Sequence, residues 1–232
     1  MVSAGQSPAI KKRRKVMATI KVGLSYIERW KTSLEKEVQR YEAENADKGQ
    51  IVFYGPSYFT RWTERWGNVP LRDSILGASG AKCCVNRGFG SSCPEQQLYY
   101  YPRMVRAIEP KVLVYGAGWG NGATFGYTNE EQLFLAERVL AYAREDFPDM
   151  PIYVYGESKR RHRNDPERIA CIEAFEKIVS EIPNCTYLDH DSYQPLVRDD
   201  IYIEDNVHYN TEGFRIFGDF FREKLASELE KF

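Results

Sequence analysis

The feature that most constrains this chain is an alternation of short, uninterrupted apolar runs with longer segments of helical periodicity. Uninterrupted apolar runs are typical of strands buried on both faces, as in parallel sheets. Strands that alternate with helices of this length predict βαβ units and a doubly wound sheet. The predicted strands are Ile51–Tyr54, Cys83–Val85, Val112–Tyr115, Ile152–Tyr155 and Thr186–Leu188. The predicted helices are residues 24–45, Glu95–Ile108, Asn129–Glu145, Asp165–Ser180 and Thr211–Leu229.

Two of the predicted helices begin with recognisable start signals. Asn129 precedes two glutamates and is expected to be an N-cap, because its side chain can accept from a free backbone N–H of the first turn. Asp165 stands directly before Pro166, and this order suits an N-cap followed by the first helical residue.

Length and composition favour one globular domain. The chain has 232 residues, of which 43% are hydrophobic and 28% are charged, as in ordinary soluble globules. No apolar run approaches the roughly 20 residues that a membrane-spanning helix needs. We expect a single domain over residues 18–232, with residues 1–17 as a flexible basic tail or leader.

The charge is distributed unevenly along the chain. The formal net charge is −1, but residues 1–16 contain five basic residues, Lys11 to Lys15, and no acid, so the remainder carries −6. An acidic body argues against a nucleic-acid partner. The basic run is either a nuclear-import patch or an expression leader, and with no signal-peptide core before it the expected location is cytoplasmic.

The cysteines indicate neither a disulfide framework nor a zinc site. They are few and odd in number, and no pair has Cys-x-x-Cys spacing, so a reducing compartment fits better. No metal and no cofactor is predicted, since the chain also lacks a P-loop motif and a complete dinucleotide fingerprint. The cysteines are Cys83, Cys84, Cys93, Cys171 and Cys185.

Residues with chemical potential follow the predicted strands. In doubly wound sheets ligands bind outside the carboxyl ends of the strands. Ser57 follows the first strand two residues after a glycine, and reads either as a nucleophile or as a turn serine. The Gly-rich turn Asn86–Ser92 follows the second strand and can hold an oxyanion or a phosphate with its N–H groups, or simply reverse the chain. Gly116–Gly122 follows the third strand and contains Asn121, a candidate amide donor.

One histidine stands where it can act as a base. His208 follows Asp205 by three residues, just before the last predicted helix. A carboxylate at this spacing can orient the imidazole through Nδ1 and leave Nε2 to take a proton. A helix-entry loop is the plainer interpretation of the same residues.

The other two histidines rank lower. His162 lies in the run Arg160–Arg163 and is expected in a solvated loop, although this run follows the fourth strand and can attract an anionic substrate. His190 lies between Asp189 and Asp191, with no helix entrance to organise it as a base or metal ligand.

Taken together, these features are the parts of an acyl-transfer site: a nucleophile, two kinds of oxyanion donor and an oriented base. Three blocks carry a more specific signal. Phe53–Phe59 contains Gly-x-Ser-x-Phe, Asn86–Ser91 reads Asn-Arg-Gly-Phe-Gly-Ser, and Glu204–Gly213 contains Asp-x-x-His. In this order and spacing the blocks resemble the SGNH hydrolase family, also called GDSL-like esterases and lipases, from about Trp30 to the C-terminus.

The resemblance implies a fold and a set of roles. The fold would be α/β, a three-layer αβα arrangement with a five-stranded parallel sheet in flavodoxin-like, doubly wound order. Ser57 would be the nucleophile, His208 the general base and acid, and Asp205 the residue that orients it. The oxyanion hole would use the backbone N–H of Gly90 or Ser91 and the side chain of Asn121, together with the N–H of the nucleophile.

The sequence departs from the family pattern at three positions. Pro56 stands where the family usually has Asp before the nucleophile, and Ser91 stands where it has a second Gly. In the third block, an alignment without a gap puts Gly120 at the family's Asn position, and a shift of one residue brings Asn121 there. Loss of one oxyanion donor costs roughly 10²–10³ in rate.

The expected activity is hydrolysis of short-chain esters, acetyl esters first, on a small-molecule or carbohydrate substrate, through an acyl-enzyme. Tyr58 and Trp119 are candidate substrate-binding residues, because aromatic side chains line pockets for acyl chains and sugars alike. The alternatives are a non-catalytic binding relative on the same scaffold and a lysophospholipase or thioesterase type of enzyme. The sequence does not decide the oligomeric state.

Overall fold

The centre of the protein is a sheet of five parallel strands with the order β2-β1-β3-β4-β5. The computed structural model describes residues 33–232, so the predictions for residues 1–17 and for the first part of the helix at 24–45 lie outside it. This order is the flavodoxin-like arrangement, and the predicted fold class is confirmed. The strands are β1 (Ile51–Gly55), β2 (Cys84–Gly88), β3 (Val112–Gly116), β4 (Ile152–Tyr155) and β5 (Cys185–Leu188).

Helices cover both faces of this sheet. One face is covered by α1, α4, α6 and α7, and the other by α2, α3, α8 and α9, with α5 at the end of β3. The helices are α1 (Glu35–Ala43), α2 (Ser57–Thr60), α3 (Leu71–Ser74), α4 (Pro94–Met104), α5 (Trp119–Thr124), α6 (Asn129–Asp146), α7 (Pro166–Glu181), α8 (Thr211–Lys224) and α9 (Ala226–Leu229). Short 3₁₀ turns lie at Glu64–Trp66, Arg106–Ile108, Arg160–His162, His190–Ser192 and Gln194–Val197.

The apolar runs of the sequence are buried because each strand serves two cores. Along β1, Val52 and Tyr54 point to the core under α4 and α6, whereas Ile51 and Phe53 point to the core under α8. This alternation follows from the period of two in a strand. All five residues of β1 are buried, as a central parallel strand requires.

Aromatic side chains from α8 fix the second core. Phe217 stacks on Trp62 with ring centroids 5.1 Å apart, and Phe221 meets Phe53 edge to face at 5.0 Å. Truncating one such ring to alanine typically costs about 3–5 kcal/mol. This packing seats α8 against β1, and so places the loop before α8 beside the end of β1.

Several helix boundaries differ from the predicted ones. The N-cap of α6 is Thr128 and not Asn129. Thr128 Oγ1 accepts from the N–H of Glu131 at 3.2 Å, and Glu131 Oε2 accepts from the N–H of Thr128 at 2.8 Å. The predicted helix Glu95–Ile108 ends as α4 at Met104, because Val105 leaves the helical conformation (φ −120°, ψ −60°), and Arg106–Ile108 forms a separate 3₁₀ turn. The predicted last helix is divided at Leu225 into α8 and α9.

The cap at Asp165 is as predicted, since its side chain accepts from the N–H of Arg168. All five cysteines are free thiols. Within residues 33–232, no helix is long and apolar enough to cross a membrane.

Candidate active site

Ser57, His208 and Asp205 form a hydrogen-bonded chain at the carboxyl edge of the sheet. Ser57 begins α2 two residues after β1 ends, and His208 lies in the loop before α8. Ser57 Oγ lies 2.8 Å from His208 Nε2, and His208 Nδ1 lies 2.6 Å from Asp205 Oδ2. With Nδ1–H donating to the carboxylate, Nε2 is free to accept the hydroxyl proton of the serine.

Backbone hydrogen bonds hold the carboxylate of Asp205 in place. Its Oδ1 accepts from the N–H groups of Val207 and His208, each at 2.9 Å. Asn206 adopts a left-handed conformation (φ 53°) that lets the loop turn around this oxygen. Desolvation alone would raise the pKa of Asp205, but these bonds and the one from the His208 ring hold it well below its usual range. The carboxylate is therefore ionised and ready to stabilise an imidazolium.

An arginine that the sequence analysis did not consider lies next to this carboxylate. Arg61 Nη1 is 3.8 Å from Asp205 Oδ2, and its guanidinium lies 4.4 Å from the ring centroid of Trp66. Arg61 follows α2 by one residue, so the short helix that begins with the nucleophile also delivers this cation.

The turn after β2 places backbone donors beside the nucleophile. A Cβ added to Gly90 would lie 3.9 Å from Ser57 Cβ, so these two residues are neighbours. Ser91 adopts a left-handed conformation (φ 65°), a backbone region that favours glycine. Among the described residues, the N–H groups of Ser57, Gly90 and Ser91 donate to no other protein group. The three residues that carry these free donors border one common cavity.

Asn86 fixes this turn to the nucleophile's helix. Its Nδ2 donates to the carbonyl of Phe59 at 2.8 Å, and its Oδ1 accepts from the N–H of Gly88 at 2.8 Å. One side chain therefore ties α2 to the end of β2, so the donors and the hydroxyl keep their relative positions.

The third block brings Asn121, and not Gly120, toward the turn after β2. Asn121 lies in α5 and its Nδ2 donates to the carbonyl of Ser92 at 2.8 Å. Gly118, just before α5, has φ 66°, and a Cβ there would lie 2.8 Å from Pro56 Cγ. The glycine therefore lets the loop after β3 pack closely against Pro56, the residue that precedes Ser57. One N–H of the Asn121 amide is used in this contact, which leaves the other for a ligand.

A buried glutamine supports the floor of the site. Gln97 Nε2 donates to the carbonyl of Gly116 at 3.1 Å, and Gln97 Oε1 accepts from the hydroxyl of Tyr115 at 2.7 Å. The carbonyl of Gln97 accepts from Tyr54 at 2.5 Å. A satisfied polar network of this kind makes the loop geometry specific.

Two cavities meet at Ser57, and Asn121 borders both. The arginine cavity, of about 520 Å³, is bordered by Thr60, Arg61, Arg65, Trp66, Gly90, Ser91 and His208, with Ser33, Leu34 and Glu37 from the α1 side. The tyrosine cavity, of about 380 Å³, is bordered by Tyr58, Tyr155, Tyr202 and Tyr209, with Glu157, Arg161, His162, Arg168 and His190. Ser57 thus has a cavity on each side, and each of these cavities is called an arm of the site.

The two aromatic residues proposed to bind substrate occupy different environments. Tyr58 borders the tyrosine cavity, and its ring meets Tyr155 edge to face at 5.4 Å. Trp119 is 3% exposed and packs edge to face on Phe175 at 4.9 Å, so it lies in the core rather than at a cavity wall. The prediction for Trp119 does not hold, because α5 turns this ring inward toward α7.

Sequence reasoning missed the other tyrosines of the cavity. Tyr155 ends β4 and was considered only as part of a buried strand, although its position at a strand end was a usable signal. Tyr202 and Tyr209 flank the Asp205–His208 loop and pair in an isolated antiparallel bridge. Among residues 33–232, no group of three or more His, Cys, Asp or Glu side chains is arranged to hold a metal ion.

Solved structures share this arrangement of strands and helices. A GDSL-like lipase from Bacteroides thetaiotaomicron superposes with a TM-score of 0.64 and 17% identity, covering 82% of this chain and 98% of the lipase. The chain has the SGNH hydrolase fold. The fold that the sequence resemblance implied is therefore confirmed, with the Ser57 and His208 loops at the edge of the sheet where ligands bind in such folds.

Two further neighbours with this fold act on carbohydrates according to their descriptions. A family 3 carbohydrate esterase from Clostridium thermocellum has a TM-score of 0.56 and 12% identity over 80% of this chain and 98% of its own. An acetyl-xylooligosaccharide esterase from Geobacillus Stearmophilus has a TM-score of 0.58 and 13% identity, covering 78% of this chain and 95% of the esterase. No family model and no curated protein sequence matches the chain.

Proposed function

We propose that this protein is a serine esterase of the SGNH type that hydrolyses short-chain esters, with acetyl groups on carbohydrates as its substrate class. The observation that carries the proposal is the continuous chain from Ser57 Oγ through His208 to Asp205, at 2.8 and 2.6 Å. A nucleophile, a base and an orienting carboxylate within hydrogen-bond reach are the signature of covalent acyl transfer.

Each residue then has a defined step. His208 Nε2 takes the proton as Ser57 Oγ attacks the ester carbonyl, and Asp205 stabilises the imidazolium that results. The imidazolium returns the proton to the leaving alcohol, and water repeats the sequence on the acyl-enzyme. The N–H groups of Ser57 and Gly90 and the amide of Asn121 are the donors proposed for the oxyanion.

The charged side chains that line both cavities favour a short acyl group over a long one. Both arms carry charged side chains close to the nucleophile, among them Arg61 and Arg65 on one side and Glu157 and Arg161 on the other. A long alkyl chain in either arm would desolvate these groups without replacing their hydrogen bonds, which is unfavourable. An acetyl group leaves them hydrated.

The tyrosine cavity supports a carbohydrate on the other side of the ester. Rings that combine an apolar face with a hydroxyl suit a sugar, which also has apolar faces and polar edges. Two neighbours of the same fold are described as carbohydrate or acetyl-xylooligosaccharide esterases, and this agrees with the proposal without deciding it.

Labelling with a fluorophosphonate probe tests the proposal directly. The wild type and Ser180→Ala, which changes an exposed serine on α7, should both be labelled, whereas Ser57→Ala should not. The same proteins are assayed on p-nitrophenyl acetate, butyrate and octanoate and on acetylated xylo-oligosaccharides. We expect kcat/KM to fall with acyl length and Ser57→Ala to be inactive.

Other outcomes would point to the alternatives. Equal lack of labelling in wild type and Ser57→Ala, with no hydrolysis of any ester, would leave a binding protein on this scaffold. A rate that rises toward octanoate would favour a lysophospholipase or thioesterase type of enzyme.

A further inference from the structure

One cation that borders the same cavity as Ser57 has no carboxylate partner among the described residues. Arg161 borders the tyrosine cavity together with Ser57, and among residues 33–232 its side chain forms no ion pair. Its neighbour Arg160 is different, since that guanidinium lies against Asp199 and the carbonyl of Val197.

An aromatic stack holds the Arg161 guanidinium in position. It lies 3.8 Å from the ring centroid of Tyr202, which is within the range of a cation–π contact. Tyr202 in turn stacks on Tyr209 with centroids 5.0 Å apart, and the hydroxyl of Tyr209 lies 3.0 Å from that of the buried Tyr155. A guanidinium over a ring keeps its N–H edges free for a second partner.

The backbone of the same loop is fixed from below. Ser158 Oγ donates to Asp191 Oδ1 at 2.6 Å and accepts from the N–H of Arg161 at 3.2 Å. Asp191 Oδ2 also accepts from the N–H of Arg160 at 3.0 Å. Asp191 therefore acts as a tether for this loop, and the position of Arg161 is preorganised.

The acidic side chain that borders the tyrosine cavity is paired with groups other than Arg161. Glu157 pairs with Arg168, whose side chain is 9% exposed and whose Nη2 lies 2.9 and 2.8 Å from the two carboxylate oxygens. His162 Nε2 lies 3.2 Å from the same carboxylate. The carboxylate of Glu157 is thus paired with Arg168 and His162. The guanidinium of Arg161 is left as a cation without a paired acid at this cavity, in a protein whose residues 17–232 carry a net charge of −6.

We propose that Arg161 binds a carboxylate carried by the substrate, so that the preferred esters are anionic. This inference rests on the proposed esterase function, since it assigns the specificity of that same site. The planar guanidinium can hold a carboxylate through two parallel N–H···O bonds. Because the Arg161 side chain is exposed to solvent, we expect about a tenfold effect on binding rather than the larger effects of fully buried pairs.

Matched esters in the Ser57→Ala background test binding without turnover. The first pair is 4-acetoxybenzoate and its methyl ester, which places the carboxylate on the alcohol side. The second pair is 4-nitrophenyl hydrogen glutarate and its methyl ester, which places it on the acyl side. Dissociation constants are measured by calorimetry for Ser57→Ala alone and combined with Arg161→Gln, Arg161→Lys or Arg163→Gln.

We expect the anionic member of at least one pair to bind about tenfold more tightly than its methyl ester. Arg161→Gln should remove this preference and Arg161→Lys should restore part of it. Arg163→Gln should leave it intact, because Arg163 is an exposed arginine of the same loop that does not border the cavity. Equal binding within both pairs, or equal losses in Arg161→Gln and Arg163→Gln, would overturn the inference.

Turnover by the protein with Ser57 intact separates the two proposals. Hydrolysis of neutral and anionic esters at equal kcat/KM would retain the esterase and reject the role of Arg161. A carboxylate preference in binding together with no Ser57-dependent hydrolysis would retain the anion site and reject the esterase.

Discussion

His208 and His190 are two histidines at the same carboxyl edge of the sheet, and they border the two cavities that meet at Ser57. Both are hydrogen-bonded through both ring nitrogens. His208 lies between a carboxylate and the Ser57 hydroxyl, and its side chain is 17% exposed. His190 is 5% exposed and lies between the hydroxyl of Tyr155, 2.6 Å from Nδ1, and the carbonyl of Leu196, 3.3 Å from Nε2.

The partners of the rings separate their roles. A carbonyl can only accept, so Nε2 of His190 carries the proton and Nδ1 accepts from Tyr155. Both nitrogens are then committed to uncharged partners. Burial lowers the pKa of the His190 ring, although the carboxylates of Asp191 and Asp189 act in the opposite direction. In His208 one ring nitrogen instead contacts the carboxylate of Asp205, and in the proposed mechanism this carboxylate stabilises the second proton that the ring takes from Ser57. The two rings therefore differ in their hydrogen-bond partners. A histidine is a candidate base when one ring nitrogen contacts a carboxylate and the other is available to a nucleophile; its residue type and its place at a cavity do not decide this.

The largest expected effect comes from changing His208. His208→Gln should lower kcat/KM for p-nitrophenyl acetate by roughly 10⁴–10⁶, the range seen when a serine hydrolase loses a member of its triad. The free energy of unfolding should change little, because the ring lies in a partly exposed loop and supports no core. Initial rates and urea unfolding of the same preparation measure both quantities. Retention of activity would mean that another group takes the proton of Ser57.

Changing His190 is expected to have a smaller effect, on the free energy of unfolding rather than on kcat. His190→Leu fills the space but leaves the hydroxyl of Tyr155 and the carbonyl of Leu196 without their present partner. The hydroxyl of Tyr155 keeps the hydroxyl of Tyr209 as a partner, so the carbonyl of Leu196 is the group left unsatisfied. An unsatisfied buried group costs about 1–3 kcal/mol, and urea unfolding should show a loss of this size. kcat on p-nitrophenyl acetate should be retained in the folded variant. A collapse of kcat with unchanged stability would reverse the assignment of the two rings.

Part of the fold and of the candidate site could be predicted from the sequence. The strands followed from the apolar runs, and their order followed from the family resemblance. The Ser57, Asp205 and His208 set followed from residue types at strand ends and helix entrances, because a triad is made of side chains that are visible in a sequence.

The features that the sequence could not predict depend on backbone conformation. The free donors near Ser57 depend on the left-handed conformation of Ser91, and the choice of Asn121 over Gly120 depends on how α5 leaves β3. Trp119 was expected at the substrate because it follows a strand, but periodicity in a six-residue helix does not tell which way a ring turns. Such details require the coordinates of the loops.

The smallest expected effect is a pH dependence of stability contributed by His190. Burial, the largest influence, lowers the pKa of its imidazole below the ordinary value of 6.5. Above pH 6.5 the ring is neutral in both the folded and the unfolded chain and contributes no slope. Below pH 6.5 the unfolded chain binds a proton that the folded chain does not, so the free energy of unfolding falls, by at most about 1.4 kcal/mol per pH unit.

Urea unfolding between pH 7.5 and 5 measures this slope in wild type, His190→Leu and His162→Gln. The Leu variant should lose part of the slope below pH 6.5, whereas His162→Gln, which changes a half-buried ring near Glu157, should not lose the same part. Identical slopes in wild type and His190→Leu would show that His190 accepts its proton as readily in the folded state as in the unfolded one. The ring would then be a second candidate base, and the distinction between the two histidines would no longer rest on protonation.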